Sequence, residues 1–412
     1  MRLLLIHQSF VSGAEAGGTR HVELGQHLVD RGDDVTVVAS QISYLSGKSM
    51  NERRGGLRRG LFYRERAGGI RVLRAYAPAV LHKSYVWRAV AFVVFALTSV
   101  WAGLRAGKVD VVMGTSPPIF QAVSALAVAR IRRKPFLLEI RDLWPAFAIE
   151  MGVLTNPVLI RLSRWLERFL YRRADHLLVN SPAYRDYLVG EGVAEGRISF
   201  VPNGVDVSMF DPGARGEAIR ARYGLEGKVV VVYAGAIGPA NDLGVLIDVA
   251  ERLKANVTVE ILIVGDGKDR ARLEAVTQAR GLGNVTFTGP LPKSTMPDVL
   301  AAADVCVAIL QDIPMFKTTY PNKVFDYMAA GRPTVLAIDG VIRLVIEEAN
   351  GGIFVRPGDV HELSSAVETL AGDEALRRRM GASARAHVAE RFNRETQAEQ
   401  FREVIHGMAT RT

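Results

Sequence analysis

Residues 1–40 read MRLLLIHQSFVSGAEAGGTRHVELGQHLVDRGDDVTVVAS, and this stretch decides the fold class. Residues 2–8 carry the apolar run Leu3, Leu4, Leu5 and Ile6, the length of a buried strand. Residues 19–31 set Val22, Leu24, Leu28 and Val29 on one side of a helix, which Gly32 ends. Residues 35–40 are again apolar and strand-like. A strand, a helix and a strand in this order predict a parallel pair joined by a crossover. The linking segment VSGAEAGGTR holds Gly17 and Gly18, which let a ligand approach the backbone. Thr19 and Arg20 stand at the helix start, where a phosphate can dock. The segment is neither a G-x-G-x-x-G nor a Walker lysine motif, so a plain glycine-rich connection remains open.

The same alternation continues outward. Strands are expected at 109–115, 135–140, 174–181 and 197–206, with helices at 119–130 and 157–173. After residue 206 the pattern restarts, with strands at 229–234, 259–264, 285–289 and 305–310 and helices at 243–254 and 296–303. A chain of 412 residues is long for one core. The expected organisation is α/β, two doubly wound Rossmann-like domains over 1–205 and 206–385. A charged, amphipathic helix is expected from about 373 to the end, with 386–412 crossing back to the first domain.

Nearly half the residues are hydrophobic, which excludes general disorder. The single Cys306 lies in the apolar run ADVCVAIL and reads as a small buried hydrophobe; one cysteine excludes an internal disulfide and fits a reducing compartment. The opening apolar run is too short for a signal peptide. A formal charge of +9 suits nucleic acid, anionic lipid or phosphorylated ligands. The location of the charge separates these. Residues 51–74 are dense in arginine and glycine and precede an uncharged run at 89–104, flanked by Arg88, Arg105 and Lys108 and carrying Trp101. That run falls short of the roughly 20 residues a spanning helix needs. The run reads either as a core helix of the first domain or, as favoured here, as a helix with one side packed and one side resting in a bilayer interface, within a membrane-associating region of about 51–108. Without an aromatic-interleaved binding module, nucleic acid is not expected.

Two segments carry candidate chemistry. EIRDLWP closes the strand at 135–140, and charged residues past the carboxyl end of a buried parallel strand lie where such sheets bind ligands, so Glu139, Arg141 and Asp142 are candidates. An ion-paired loop is the plainer alternative. Residues 318–333, TTYPNKVFDYMAAGRP, have the outline of a helix entrance. Thr318 or Thr319 can cap, Pro321 suits an early helical position, and Gly331 and Pro333 stop the helix. Val324, Phe325 and Met328 form the apolar side; Asn322, Lys323 and Asp326 form the other. An ammonium and a carboxylate within one turn of a helix start suit a phosphorylated sugar or nucleotide, or simply form a solvated ion pair.

Taken together, GGTRHVELGQHLVDRGDDVTVV, VPNGVDVSMF, VVYAGAIG, ILIVGDG, VTFTGPLP and KVFDYMAAGRPTVLA resemble a family 4 glycosyltransferase of the GT-B fold, over nearly the whole chain. EIRDLWP and TSPP bring the resemblance nearest to the bacterial surface-polysaccharide L-fucosamine transferases. The resemblance implies retaining transfer of a sugar, N-acetylated and aminodeoxy, from a UDP-sugar in a cleft between two facing domains. The first domain would hold the acceptor and the second the nucleotide. It sets Gly17, Gly18, Thr19, Arg20, Gly235, Gly265, Pro290, Thr318, Asn322, Lys323 and Asp326 on the donor, with Lys323 at the diphosphate and Asp326 at the ribose. Asp142 would orient or deprotonate the acceptor. The family's pair of glutamates eight positions apart is replaced by Thr318 and Asp326, so a carboxylate is kept at the second position and lost at the first. The arginine and lysine the family uses after its glycine strand are missing from 237–243. No Asp-x-Asp occurs, so no metal is expected, and no cofactor beyond the donor itself. The expected acceptor is a polyprenyl-diphosphate-linked sugar, met by a cytoplasmic protein on the inner membrane face. The rival readings are a nucleotide-sugar 2-epimerase and a non-catalytic, membrane-bound sugar-binding partner.

Overall fold

The computed structural model describes residues 1–11, 20–43, 47–50, 61–80, 84–256 and 258–410. Gly17, Gly18 and Thr19, and the arginine-rich residues 51–60, lie outside the described residues. The chain separates into unit 1, Met1–Pro202 with Glu395–Thr412, and unit 2, Asn203–Arg394.

Unit 1 runs β1 (Arg2–Ile6), α1 (Arg20–Asp30), β2 (Asp34–Ser40), β3 (Phe62–Ala67), β4 (Ile70–Ala75), α2 (Tyr85–Leu104), β5 (Val111–Ser116), α3 (Ile119–Arg132), β6 (Phe136–Ile140), α4 (Ala146–Glu150), α5 (Pro157–Arg173), β7 (His176–Val179), α6 (Pro182–Gly190) and β8 (Ile198–Phe200). The sheet order is β3-β4-β2-β1-β5-β6-β7-β8. All neighbours are parallel except β3 and β4. That hairpin closes on Gly68 and Gly69, whose φ values of 55° and 84° suit a tight turn that other residues resist. Arg64 and Arg66 point outward from β3, which guards the open edge of the sheet. Strands on both sides of β1 leave the loops after β1 and β5 diverging, the usual place for a ligand in such sheets.

Unit 2 runs α7 (Glu217–Tyr223), β9 (Val229–Ala234), α8 (Gly244–Arg252), β10 (Val259–Val264), α9 (Arg270–Ala279), β11 (Val285–Gly289), α10 (Met296–Ala302), β12 (Val305–Ile309), α11 (Asn322–Ala329), β13 (Thr334–Ala337), α12 (Val341–Glu348), β14 (Gly352–Phe354), α13 (Val360–Gly372) and α14 (Glu374–Arg391). Its sheet is parallel throughout, ordered β11-β10-β9-β12-β13-β14. The first strand again sits in the middle, and the switch point falls between β9 and β12. Apolar residues fill both faces of β9 and β10, as a sheet covered by helices on both sides requires. Cys306 is fully buried on β12, and burial pushes its thiol pKa up.

The single helix expected from about 373 is instead two. α14 ends at Arg391, and α15 (Arg394–Ala409) follows. At the break, Arg394 N–H donates to Val205 O and Val205 N–H to Phe392 O, so backbone pairing replaces the helical bonds. No glycine or proline marks this break in the sequence. Ala398, Phe401, Ile405 and Met408 of α15 are buried in the same cluster as Leu3, Leu5, Val35 and Val37 of unit 1. Each fully buried side chain of this size contributes about 1.5–3 kcal/mol. Arg402 and His406 bind Asp33 at 3.0 and 2.9 Å, and His27 lies 3.1 Å from Glu399.

Candidate functional site

In unit 2 the strand ends and α11 meet around one ammonium group. The Lys323 side chain leaves the first turn of α11 and reaches the end of β9. Its Nζ donates to Tyr233 Oη at 2.7 Å and to Asn241 Oδ1 at 3.0 Å. Tyr233 Oη in turn donates to Ala236 O at 2.7 Å, and the ammonium lies 4.2 Å from the centre of the Tyr233 ring. An ammonium has three donors, and these two neutral acceptors leave one for an incoming group. Lys323 keeps part of its surface open, yet burial around Nζ pushes its pKa down to about 7. A cation held by neutral dipoles in a desolvated place favours an anionic ligand.

The floor of this site is backbone. Gly235 follows β9, and a side-chain carbon there would meet Lys323 Nζ at 3.0 Å. Gly265 follows β10 at φ 142°, and its missing Cβ would fall 1.8 Å from Gly235 O. Only glycine lets the two strand ends lie this close. Gly265→Ala is therefore expected to destabilise unit 2 by roughly 3 kcal/mol or more, seen as faster hydrogen exchange in β9 and β10. Exchange at the wild-type rate would show that the backbone yields there.

The helix entrance differs from its expected form. α11 starts at Asn322 with Pro321 as its flanking residue and no side-chain cap. Thr318 instead ends a short 3-10 turn, where its hydroxyl donates to Met315 O at 2.6 Å; Thr319 Oγ1 donates to Phe316 O at 3.0 Å. Neither threonine caps, because Pro321 holds them a turn away from the helix. With proline at the cap position, α11 opens without a side-chain cap bond, and its first-turn N–H groups add positive potential near Lys323. Asn322 is exposed and Asp326 half-buried one turn on. Asn203 Nδ2 donates to Tyr320 O at 2.8 Å and steadies the approach to the helix. Tyr327 Oη accepts from Ala234 N–H at 2.9 Å and ties α11 to β9. Pro290 is exposed just after β11. A separate cavity of about 640 Å³ near Asp312, Lys317, Asp339 and Arg343 is lined by charges already paired with one another, so it lacks the open cation found at Lys323.

In unit 1 the expected strand-end candidates divide. Glu139 is fully buried and ionised: His21 Nε2 lies 2.5 Å and Arg20 Nε 3.0 Å from its oxygens. Burial alone would raise its pKa, but His21, Arg20 and Arg141 together hold it well below the usual range. Arg20 is only 3% exposed and also donates to Pro202 O at 2.7 Å and Val201 O at 2.8 Å. The open guanidinium expected at Arg20 is therefore a buried brace, since the helix start turns it inward onto the Glu139 carboxylate. His7, kept neutral by burial and by neighbouring His21 and Arg141, lies 2.9 Å from Thr115 Oγ1. Arg141 Nη1 is 3.5 Å from His7 Nε2. Asp142 is the open member: its surface faces solvent, and the buried Tyr184 phenol donates to it. Desolvation pushes its pKa up, to about 6, against Arg141 and the Tyr184 hydrogen bond.

Sequence reading missed Tyr233, Asn241, Tyr327 and Asn203. Tyr233 had one signal, as the polar group that ends the valine run of β9.

Residues 16–204 match the family described as glycosyl transferase 4-like domain, and residues 228–373 match glycosyl transferases group 1. A GDP-mannose-dependent alpha-mannosyltransferase of Mycobacterium tuberculosis is 30% identical over 286 residues, 69% of this chain and 70% of that protein. The Arabidopsis thaliana sulfoquinovosyl transferase SQD2 is 29% identical over 68% of this chain, and a putative colanic acid biosynthesis glycosyl transferase, WcaI, of Escherichia coli 26% identical over 58%. The chain spans only 53% and 60% of these last two. Among solved structures, Anabaena HepE in complex with UDP and glucose superposes with a TM-score of 0.74 at 18% identity, covering 98% of this chain and 99% of that one. At that identity the likeness speaks for the fold.

Proposed function

The chain belongs to the group 1, 4-like glycosyltransferases, enzymes that transfer sugars, and from that premise we propose which transfer it performs. It moves an N-acetylated aminodeoxy sugar from a UDP-sugar to a polyprenyl-diphosphate-linked sugar, with retention and without a metal, in bacterial surface-polysaccharide synthesis of the L-fucosamine transferase type. The observation that carries this reading is Lys323, a desolvated ammonium with neutral partners beside the uncapped start of α11. Such a group answers the negative charge that develops on a leaving diphosphate. The colanic acid relative and the UDP-bound neighbour support the polysaccharide and the nucleotide, respectively.

In this reading the bond from the anomeric carbon to the diphosphate breaks as a bond to the acceptor oxygen forms on the same face. Lys323 and the α11 N-terminus stabilise the departing diphosphate. Gly235 and Gly265 leave the backbone open to it, and Asp326 holds the ribose hydroxyls. Asn322 and Pro290 line the nucleotide, while Thr318 supplies a hydroxyl where a carboxylate is usual. Asp142 accepts the acceptor's proton. The protein works from the cytoplasm on the inner membrane face, where α2 rests its open side.

The test is acceptor-dependent UDP release by the full chain from a panel of UDP-aminosugars, with the product's anomeric configuration read by NMR. Release is expected to persist in chelator. Isomerised donor without acceptor would mean a 2-epimerase, and no turnover across the panel would leave only a binding role. Asp142→Asn is expected to lower kcat by about 100-fold while UDP affinity holds. The pH profile of kcat/KM should rise as Asp142 ionises, at a pH above the ordinary aspartate value, and fall above about 7 as Lys323 loses its proton. Asp142→Asn should remove the acid limb alone; a profile that keeps that limb in the variant rejects the assignment.

A further inference from the structure

Among the described residues, every exposed large apolar side chain except Leu344 belongs to unit 1, and most sit on two helices. α2 exposes Val86, Trp87, Val90, Val93, Leu97 and Trp101. α5 exposes Val158, Leu159, Leu162 and Trp165, again three or four residues apart. These are not loosely packed core residues: Leu97 is 70% and Trp165 59% exposed. The opposite side of α2 is the packed one, with Ala91, Phe95, Ser99 and Ala102 fully buried.

The two stripes are joined. Both α2 and α5 pack on α3, which lies between them. The outward positions of α3 are Phe120, Val123 and Ala127, half-buried, and Ile131, exposed, so the seam is apolar too. Phe92 of α2 meets Phe120 of α3 with ring centres 6.5 Å apart. Charge on the helices of this surface is mainly basic. The only acid within α5, Glu167, is buried and accepts from Tyr171 at 2.8 Å. The exposed charges of α5 are Arg161, Arg168, Arg172 and Arg173, of which Arg168 meets Glu191. α2 ends on Arg105, whose guanidinium lies 4.0 Å from the Trp101 ring. Three of the chain's four tryptophans are on this face, and tryptophan favours the lipid headgroup level.

We propose that α2, the α3 seam and α5 form one continuous docking face for an anionic lipid bilayer, with both helices lying in the interface. This rests on the membrane reading of α2 given above and adds α5 as an equal half. α2 has the length and composition to cross a membrane, but its packed side and its place on α3 keep it on the unit. A second copy of this chain is a poor occupant, because the same face would set arginine against arginine. A bilayer rich in phosphate headgroups neutralises that rim while the stripes enter the acyl boundary.

Flotation of the full chain with phosphatidylglycerol-containing and with pure phosphatidylcholine vesicles tests this. Binding is expected to the former and to weaken with salt. Leu162→Glu with Trp165→Glu on α5, and Leu97→Glu with Trp101→Glu on α2, should each lower partitioning by at least about tenfold. These side chains are exposed, and unchanged far-UV circular dichroism should verify folding of both variants. Loss in the α2 variant with wild-type binding by the α5 variant overturns the two-helix face and leaves the α2 reading standing. Absence of wild-type binding to either vesicle overturns both. Equal binding to the two vesicles overturns the anionic preference. A dimer in solution that both variants dissolve would give the face to a second copy instead.

Discussion

Lys323→Ala is expected to lower kcat/KM by about 100- to 1000-fold, the usual cost of removing one preorganised transition-state donor. Its partners Tyr233 and Asn241 are neutral, so among the described residues no charge offsets the desolvation that brings its pKa from 10.5 to about 7. A bound diphosphate supplies the missing charge and raises that pKa again. UDP binding should therefore weaken above pH 7, because the ammonium must first regain its proton, by up to about tenfold per pH unit. Lys323→Ala should flatten this dependence. The same desolvation has an opposite effect on stability. Between about 7 and 10.5 the unfolded chain holds a proton that the folded chain has released, so this lysine's contribution improves as pH rises and is a cost at neutral pH. Lys323→Met should thus stabilise unit 2 by about 1–2 kcal/mol at pH 7 while slowing transfer as much as Lys323→Ala does, the trade expected at a functional site. A purely structural lysine would give the reverse. UDP calorimetry across pH, with and without the variant, decides it: unchanged affinity and an unchanged profile in Lys323→Ala would falsify the phosphate role.

Glu139→Ala should cost unit 1 about 3–5 kcal/mol, because it strips Arg20 and His21 of their shared carboxylate inside the fold. Arg20 would stay buried, still donating to the carbonyls of Val201 and Pro202 but without the carboxylate that balances its charge. Those carbonyls belong to the last stretch of unit 1 before the chain enters unit 2. The measurement is hydrogen exchange in β5, β6 and β7, expected to accelerate while β9 and β10 of unit 2 stay protected. The sign with pH follows from the depressed carboxyl. Its stabilisation is complete above the ordinary value of 4.5 and is lost as pH falls through the lower folded-state value. Glu139→Gln should therefore be less stable than wild type at neutral pH and lose less on acidification. A neutral-pH stability equal to wild type in both variants would mean the cluster is no brace.

The central strands of unit 2 were legible because both their faces are buried. β9 is a continuous apolar run and β10 departs from one only at Glu260, with polar or glycine residues flanking both, and their bounds match the expected 229–234 and 259–264. α5 was legible at its start because Asn156 caps it, accepting from Val158 and Leu159 N–H, and Pro157 opens it. The break between α14 and α15 was not legible, because pairing of Arg394 with Val205 makes it and no local residue announces it. α5 also shows the limit of a correct assignment. Its helical period was plain, but which of its apolar residues face outward depends on α3.

The candidate site divides the same way. Lys323, Gly235 and Gly265 were picked from the sequence and lie together in unit 2. Arg20 was picked for its place at a helix start, and the fold turned it inward onto Glu139, more than a hundred residues away in the chain. By itself the sequence determined two sheets of parallel strands, because apolar runs and helical periods are local signals that each segment carries alone. Only the tertiary structure decided that Lys323 faces Tyr233 and Asn241, that Arg20 is a brace, and that α2 and α5 share one apolar face. Those facts rest on side chains far apart in the chain meeting in space. Burial, which sets whether a charge is a tool or a strut, belongs to that meeting and to no residue by itself.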